Sequence, residues 1–178
     1  RHKTFIDALS ENHGLLGAKT LRQKQLLRAL PAGDQKIICC TVALHNRRAL
    51  PRLLPDAVRP AAAVVRDADK LDIIAVQLER LKKGTLEDLL AIPWLNTDPA
   101  AYSPPVYQDF MGGKLVRHAD IRCITDAKLL LCSWIYDLHF TETRRMFLER
   151  GFLDAFAAML PDIDAMAPVK KRLCDFFS

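Results

Sequence analysis

Apolar residues along this chain recur at helical rather than alternating spacing. Leu15, Leu16, Ala18, Leu21, Leu26 and Leu27 follow Ser10 and Asn12, either of which can cap the helix they predict. Pro31-Ala32-Gly33 stops that helix, and Asp34 is placed to cap a second one carrying Ile37, Ile38, Thr41, Val42 and His45. Residues 46–55 form a basic turn region. Pro60 suits the first turn of a long helix running to about Lys83, with Gly84 ending it. A short helix starts at Thr85-Leu86-Glu87-Asp88 and closes at Pro93. Residues 94–117 are irregular, punctuated by Pro99, Pro104, Pro105, Gly112 and Gly113, with room for a short helix after Ser103. Four further helices are predicted over 120–138, 141–150, 152–159 and 164–177. No strand-like alternation of useful length interrupts them, so the fold class is all-α.

The long helix carries the stretch VVRDADKLDII, in which Asp67, Asp69 and Asp72 interrupt an apolar run. At about 100° per residue, Asp69 and Asp72 lie about 60° apart, and Asp67 lies roughly 160° from Asp69. Val65, Ala68, Leu71, Ala75, Val76 and Leu78 form a wide apolar arc that includes Asp72 and borders Asp69. Arg66, Lys70 and Gln77 gather on a narrow polar strip. The wheel therefore predicts that Asp69 and Asp72 enter the interior while Asp67 points away. A buried carboxylate must be paired, hydrogen-bonded or bound to a metal.

Composition narrows the function classes only modestly. Half of the 178 residues are hydrophobic and 26% are charged, as in ordinary globular proteins. The net charge of +5 suits an anionic small substrate such as a phosphate ester, or simply a basic surface. Aromatic residues are scarce and do not interleave with Lys and Arg, so nucleic-acid binding is not expected. Five cysteines without CxxC spacing, two of them adjacent at Cys39-Cys40, point to a reducing, cytoplasmic setting and small core residues. No apolar run approaches ~18 residues, so no membrane partner is expected. The opening Arg1-His2-Lys3-Thr4-Phe5, with neither Met nor a helix start, reads as the middle of a longer protein.

Two histidines have context. His13 follows a cap-like turn in Asn12-His13-Gly14, and His45 stands near a helix end in Leu44-His45-Asn46-Arg47. Alone, each reads as an ordinary helix-end histidine. Together with a carboxylate, imidazoles are the ligand set of borderline divalent ions, and successive helices of a bundle can bring three ligands to one point. His2, His118 and His139 read as surface or structural residues.

The order His13, His45, then Arg66-Asp67-Ala68-Asp69-Lys70-Leu71-Asp72 resembles the later motifs of the HD superfamily of metal-dependent phosphohydrolases. The wider run from Thr4-Phe5 to Ser133-Trp134-Ile135-Tyr136-Asp137-Leu138 is similar to bacterial HD-domain proteins. The resemblance implies a helical bundle of about seven to nine helices forming one domain over 1–178. Residues 1–83 would supply the metal-site helices, and 84–178 a C-terminal helical subdomain packed on them. It implies that Asp69 is a metal ligand, that His13 and His45 bind a second metal or the phosphate, and that the cofactor is Mn, Mg, Co, Fe or Zn. Arg47 and Lys70 would neutralise a substrate phosphate, with Asp72 and Arg66 in support. Lys70 has a second reading, as a cation holding a carboxylate in place, and Asp72 as a structural bond-maker. The metal would polarise a phosphoryl oxygen and activate water against a nucleotide or other phosphate ester.

The family's first His and its His-Asp pair would fall ahead of Arg1, and no His-Asp dipeptide occurs in the chain. No catalytic residue is therefore assignable within it, and two expectations stand. One is a phosphohydrolase whose missing motif lies upstream. The other is a catalytically degenerate HD-like module that binds a nucleotide or a protein partner. Other hydrolase chemistries have little support, since no GxSxG motif or Cys-His arrangement is visible. Phe110-Met111-Gly112-Gly113-Lys114 lacks the spacing and the preceding strand of a phosphate loop. Trp134 and Tyr136 read as core anchors, and Asp126 and Lys128 as residues that could face a cleft.

Overall fold

The computed structural model describes residues 11–83 and 95–178. Among them are eight α-helices: α1 (His13–Gln23), α2 (Ala32–Leu44), α3 (Val58–Lys82), α4 (Pro104–Met111), α5 (Ile124–Ser133), α6 (Thr141–Glu149), α7 (Phe152–Met159) and α8 (Ala167–Phe177). Short 3-10 turns at His118–Asp120, Trp134–Asp137 and Asp164–Met166 complete the described elements, so the fold is all-α as the periodicity predicts. The helix expected over 85–93, and its boundary at Gly84, lie outside the described residues. The helix after Ser103 forms, with Pro104 and Pro105 in its first turn, where a missing N–H costs nothing.

Several boundaries differ from the pattern: the helix predicted over 120–138 is α-helical only over Ile124–Ser133, and that predicted from 164 begins at Ala167, each joined to a 3-10 turn. Asn12 caps α1 by accepting from the Leu15 amide at 2.9 Å, but α1 stops at Gln23 and turns follow, with Gln25 at φ 50°. Helix α2 begins at Ala32 behind Pro31, so Asp34 lies in its first turn, where its charge complements the helix dipole, instead of capping it. Helix α3 begins two residues before Pro60.

The chain divides into two compact units, residues 1–69 and 70–178, and the division falls inside α3. The core of the second unit is rich in large side chains. Phe110, Phe147, Phe156, Leu129, Ile135, Met166 and Leu173 are fully buried. Phe147 stacks on Phe177 with ring centroids 4.8 Å apart and meets Phe152 and Phe156 edge-on. Tyr136 packs between Phe110 and Phe176, and the Trp134 ring also lies against this core, as core anchors should. Burial raises the Tyr136 hydroxyl above its ordinary pKa, and the nearby Arg172 partly offsets this.

Asp126 is fully buried and serves the backbone rather than a cleft. Its carboxylate accepts from the Ser103 amide at 2.8 Å, the Ser103 hydroxyl at 2.6 Å and the Arg122 amide at 2.9 Å. A longer bond from the Cys123 amide closes the N-terminus of α5. Four donors supply the compensation that a buried carboxylate requires.

In the first unit, the described buried apolar residues are mostly small: Ala18, Cys39, Val58, Ala62 and Ala63. Their size lets backbones approach closely. A Cβ on Gly14 would stand 2.9 Å from the Val42 carbonyl oxygen and 2.7 Å from Asn46 Oδ1. The Asn-His-Gly turn is thus also a packing device: Asn12 starts α1, and Gly14 lets it lie against the end of α2.

Gly14→Ala is expected to cost about 1–3 kcal/mol through overpacking against backbone. Gly33→Ala, with nothing within 4 Å, should be neutral or slightly stabilising. Thermal denaturation of the two variants beside the parent protein checks this. Thiol chemistry gives a second check. Burial pushes the Cys132 thiol far above its ordinary range and raises Cys123 as well. In native protein at mildly alkaline pH, a disulfide reagent should therefore label exposed Cys174 and spare Cys132 and Cys123 until the chain is unfolded.

Candidate functional site

The buried stripe of α3 is not the one the helical wheel assigned. Val58, Ala62, Arg66, Lys70, Ile74 and Leu78 recur every four residues and are all buried, flanked by buried Ala63, Asp67 and Leu71. Arg66 and Asp67 are each only 2% exposed, and Lys70 8%. Val64, Val65 and Val76 are exposed on the other side, together with Ala68 and Asp72. The polar strip of the wheel is therefore a charged segment of the buried seam. Asp72, expected inside, is exposed; Asp67, expected to point away, is buried; Asp69 is half-buried at the edge. The wheel failed because it took apolar side chains as markers of the interior.

The buried cations have identifiable work. The Arg66 guanidinium donates to the backbone carbonyls of His45 (3.1 Å), Arg47 and Arg48 (3.3 Å). These carbonyls follow the last turn of α2, where no intrahelical donor is available. A cation at this end also complements the negative pole of the α2 dipole. One face and two turns earlier, Arg59 donates to the carbonyls of Pro51 (3.0 Å) and Arg52 (2.7 Å). Two arginines seven residues apart thereby hold the 45–52 segment from behind. In the second unit, Lys70 Nζ meets Asp137 Oδ2 at 2.5 Å, with both side chains largely buried. Lys70 thus holds a carboxylate, the second of its two sequence readings. His139 Nε2 lies 3.8 Å from the other oxygen of Asp137.

The clamp on the end of α2 fixes His45, and α1 brings His13 to it. Their Nε2 atoms are 3.0 Å apart, and the rings meet edge to face with centroids 4.9 Å apart. His45 Nδ1 lies 2.7 Å from the Val42 carbonyl oxygen, which can only accept, so Nδ1 carries the proton and Nε2 offers a lone pair. With both rings neutral, His13 donates Nε2–H to that lone pair. His13 Nδ1 is then free to accept from Asn46 Nδ2, at a longer 3.4 Å. Asn46, which the sequence reading passed over, completes the group; its position immediately after His45 is the only signal of it.

The donor set fits part of a divalent-metal site. Ligation of an ion through both Nε2 atoms would require His13 to carry its proton on Nδ1 instead, giving up the acceptance from Asn46 Nδ2. A ligating histidine that donates its other ring nitrogen to a carbonyl is the usual outer-shell arrangement. Two nitrogens bound at about 2.0–2.1 Å to a tetrahedral ion stand about 3.3 Å apart, close to the observed separation. Among the described residues no group of three or more His, Cys, Asp or Glu is assembled that could hold a metal. Asp69 is not brought to the two imidazoles as a third such ligand. Arg47 lies on the same segment with its side chain exposed.

Comparison with family models, curated proteins and solved structures finds no match for this chain. No described helix is long and apolar enough to cross a membrane.

Replacing Arg66 by Met keeps the side-chain bulk and removes the donors to three carbonyls. The expected loss is about 2–3 kcal/mol in urea denaturation. Nitrogen-15 spectra of the histidines should show the Nδ1–H tautomer at His45 in the parent protein, and loss of that preference in the variant.

Proposed function

We propose that this protein is an HD-type metal-dependent phosphohydrolase acting on a nucleotide or another phosphate ester. The observation that carries the reading is the meeting of His13 and His45 through their Nε2 atoms, with His45 Nδ1 committed to the Val42 carbonyl. These are two of the residues to which the sequence resemblance assigns ligand roles, and they come from different helices.

In this reading His13 and His45 present imidazole nitrogens to the ion, and Arg66 keeps His45 in place by holding the end of α2. Asp69, on the edge of the α3 seam, is the carboxylate ligand that the resemblance assigns. Arg47, exposed beside His45 in the chain, neutralises the substrate phosphate, for which a guanidinium is suited by its bidentate geometry. The chemistry a divalent ion supplies in such a site is polarisation of a phosphoryl oxygen and activation of water.

A second reading is a non-catalytic helical module that binds a nucleotide or a protein partner. The pairing of Lys70 with Asp137 supports it to the extent that this ammonium is engaged within the fold.

The test uses the full-length protein. Metal-dependent release of phosphate from a panel of nucleotides and phosphate esters is expected with Mn²⁺, Mg²⁺, Co²⁺ or Fe²⁺, and Asp69→Ala should abolish it. Calorimetric titration with Zn²⁺ or Co²⁺ gives a readout independent of turnover. His13→Ala and His45→Ala should each weaken binding by tenfold or more, while His118→Ala should not. Ligand binding with no turnover in any metal would replace the enzyme by the binding module.

A further inference from the structure

The excess positive charge of the chain is confined to one unit. Residues 1–69 carry twelve Lys and Arg against six Asp and Glu, whereas 70–178 carry fourteen against fifteen. Within the first unit, the segment joining α2 to α3, Asn46-Arg47-Arg48-Ala49-Leu50-Pro51-Arg52-Leu53-Leu54-Pro55, has a distinctive build. Its backbone is held by Arg59 and Arg66 through the carbonyls of His45, Arg47, Arg48, Pro51 and Arg52. The side chains of Arg47, Arg48 and Arg52 are exposed, and Leu53 among them is 95% exposed. Leu53 is the most exposed large apolar residue described, and it stands on a restrained segment rather than at a fraying end. Asp56, also exposed, is the only carboxylate between Asn46 and Arg59.

We infer that the 47–53 segment is a contact surface for an anionic lipid bilayer, with Leu53 entering the interface and Arg47, Arg48 and Arg52 reaching headgroup phosphates. An exposed leucine beside several arginines suits a surface that is apolar below and anionic above. A nucleic acid would account for the arginines and leave Leu53 without a role. Residues 11–83 contain no Phe, Tyr or Trp on which bases could stack. The contact is peripheral and does not involve a spanning helix. Arg47 is shared with the phosphohydrolase reading, whereas Arg48, Arg52 and Leu53 have no part in it, so changes at these three test the contact separately.

Co-sedimentation of the full chain with vesicles tests it, comparing pure phosphatidylcholine with phosphatidylcholine containing phosphatidylglycerol. Binding is expected to the anionic vesicles only and to weaken as salt rises. Each Arg→Gln change at 47, 48 or 52 should reduce it by about fivefold. Leu53→Ser should also reduce it, with an unchanged far-ultraviolet circular dichroism spectrum, because Leu53 contributes little buried surface. Equal binding to both vesicles, or to neither, overturns the inference. So does binding to a duplex oligonucleotide that depends on the same arginines, with Leu53→Ser leaving all binding intact; that result assigns the segment to nucleic acid.

Discussion

The charged middle of the α3 seam is the constraint on which the rest of the first unit depends. A helix that buries Arg66, Asp67 and Lys70 in line with Val58, Ala62, Ile74 and Leu78 must give each charge hydrogen-bonding or ionic company. For Arg66 that company is the set of carbonyls past the end of α2, which needs donors as much as the guanidinium needs acceptors. The interaction satisfies both sides at once. It also sets where His45 stands, and through His45 where His13 can meet it. A guanidinium suits this place better than an ammonium would, because its planar fork reaches several oxygens from one position.

The two units reach stability by different means. The second fills its interior with large aromatic and aliphatic groups, and its buried carboxylate, Asp126, ties Ser103 to the start of α5. The first buries small residues, so the apolar area each one removes from water is modest, at about 25 cal/mol per Å². Close backbone approach at Gly14, the cap on Asn12 and the arginine clamps carry correspondingly more of its organisation. Polar bonds of this kind depend on direction, which is why the histidine pair can be held at a defined distance within a thin core.

The helical architecture was legible in the sequence because apolar spacing and Pro, Gly and Asn punctuation act locally. The starts of α1, α4, α6 and α7 fall where those signals place them. The seam of α3 was not legible by the same rule. Arg66 and Lys70 are buried by partners distant in sequence, the 45–48 carbonyls and Asp137, and no local pattern announces these. The four-residue register from Val58 to Leu78 contained the information, but reading it required accepting charges as interior residues. The expectation that His13 converges with His45 came from the HD resemblance, since each histidine read alone is an ordinary helix-end residue. Asn46 and the clamp by Arg59 were not legible, since both act through a segment without periodic structure.

The uneven placement of aromatic side chains has a spectroscopic consequence. Both tryptophans and all three tyrosines belong to residues 70–178, and Phe5 is the only aromatic of the other unit. Intrinsic fluorescence therefore follows the second unit and is almost blind to the first, whereas backbone circular dichroism sees the helices of both. Coincident transitions by the two signals would mean that α3 couples the units into a single cooperative transition. A circular-dichroism change preceding the fluorescence change would assign the earlier opening to the first unit, and the reverse order to the second, without any label being attached to the protein.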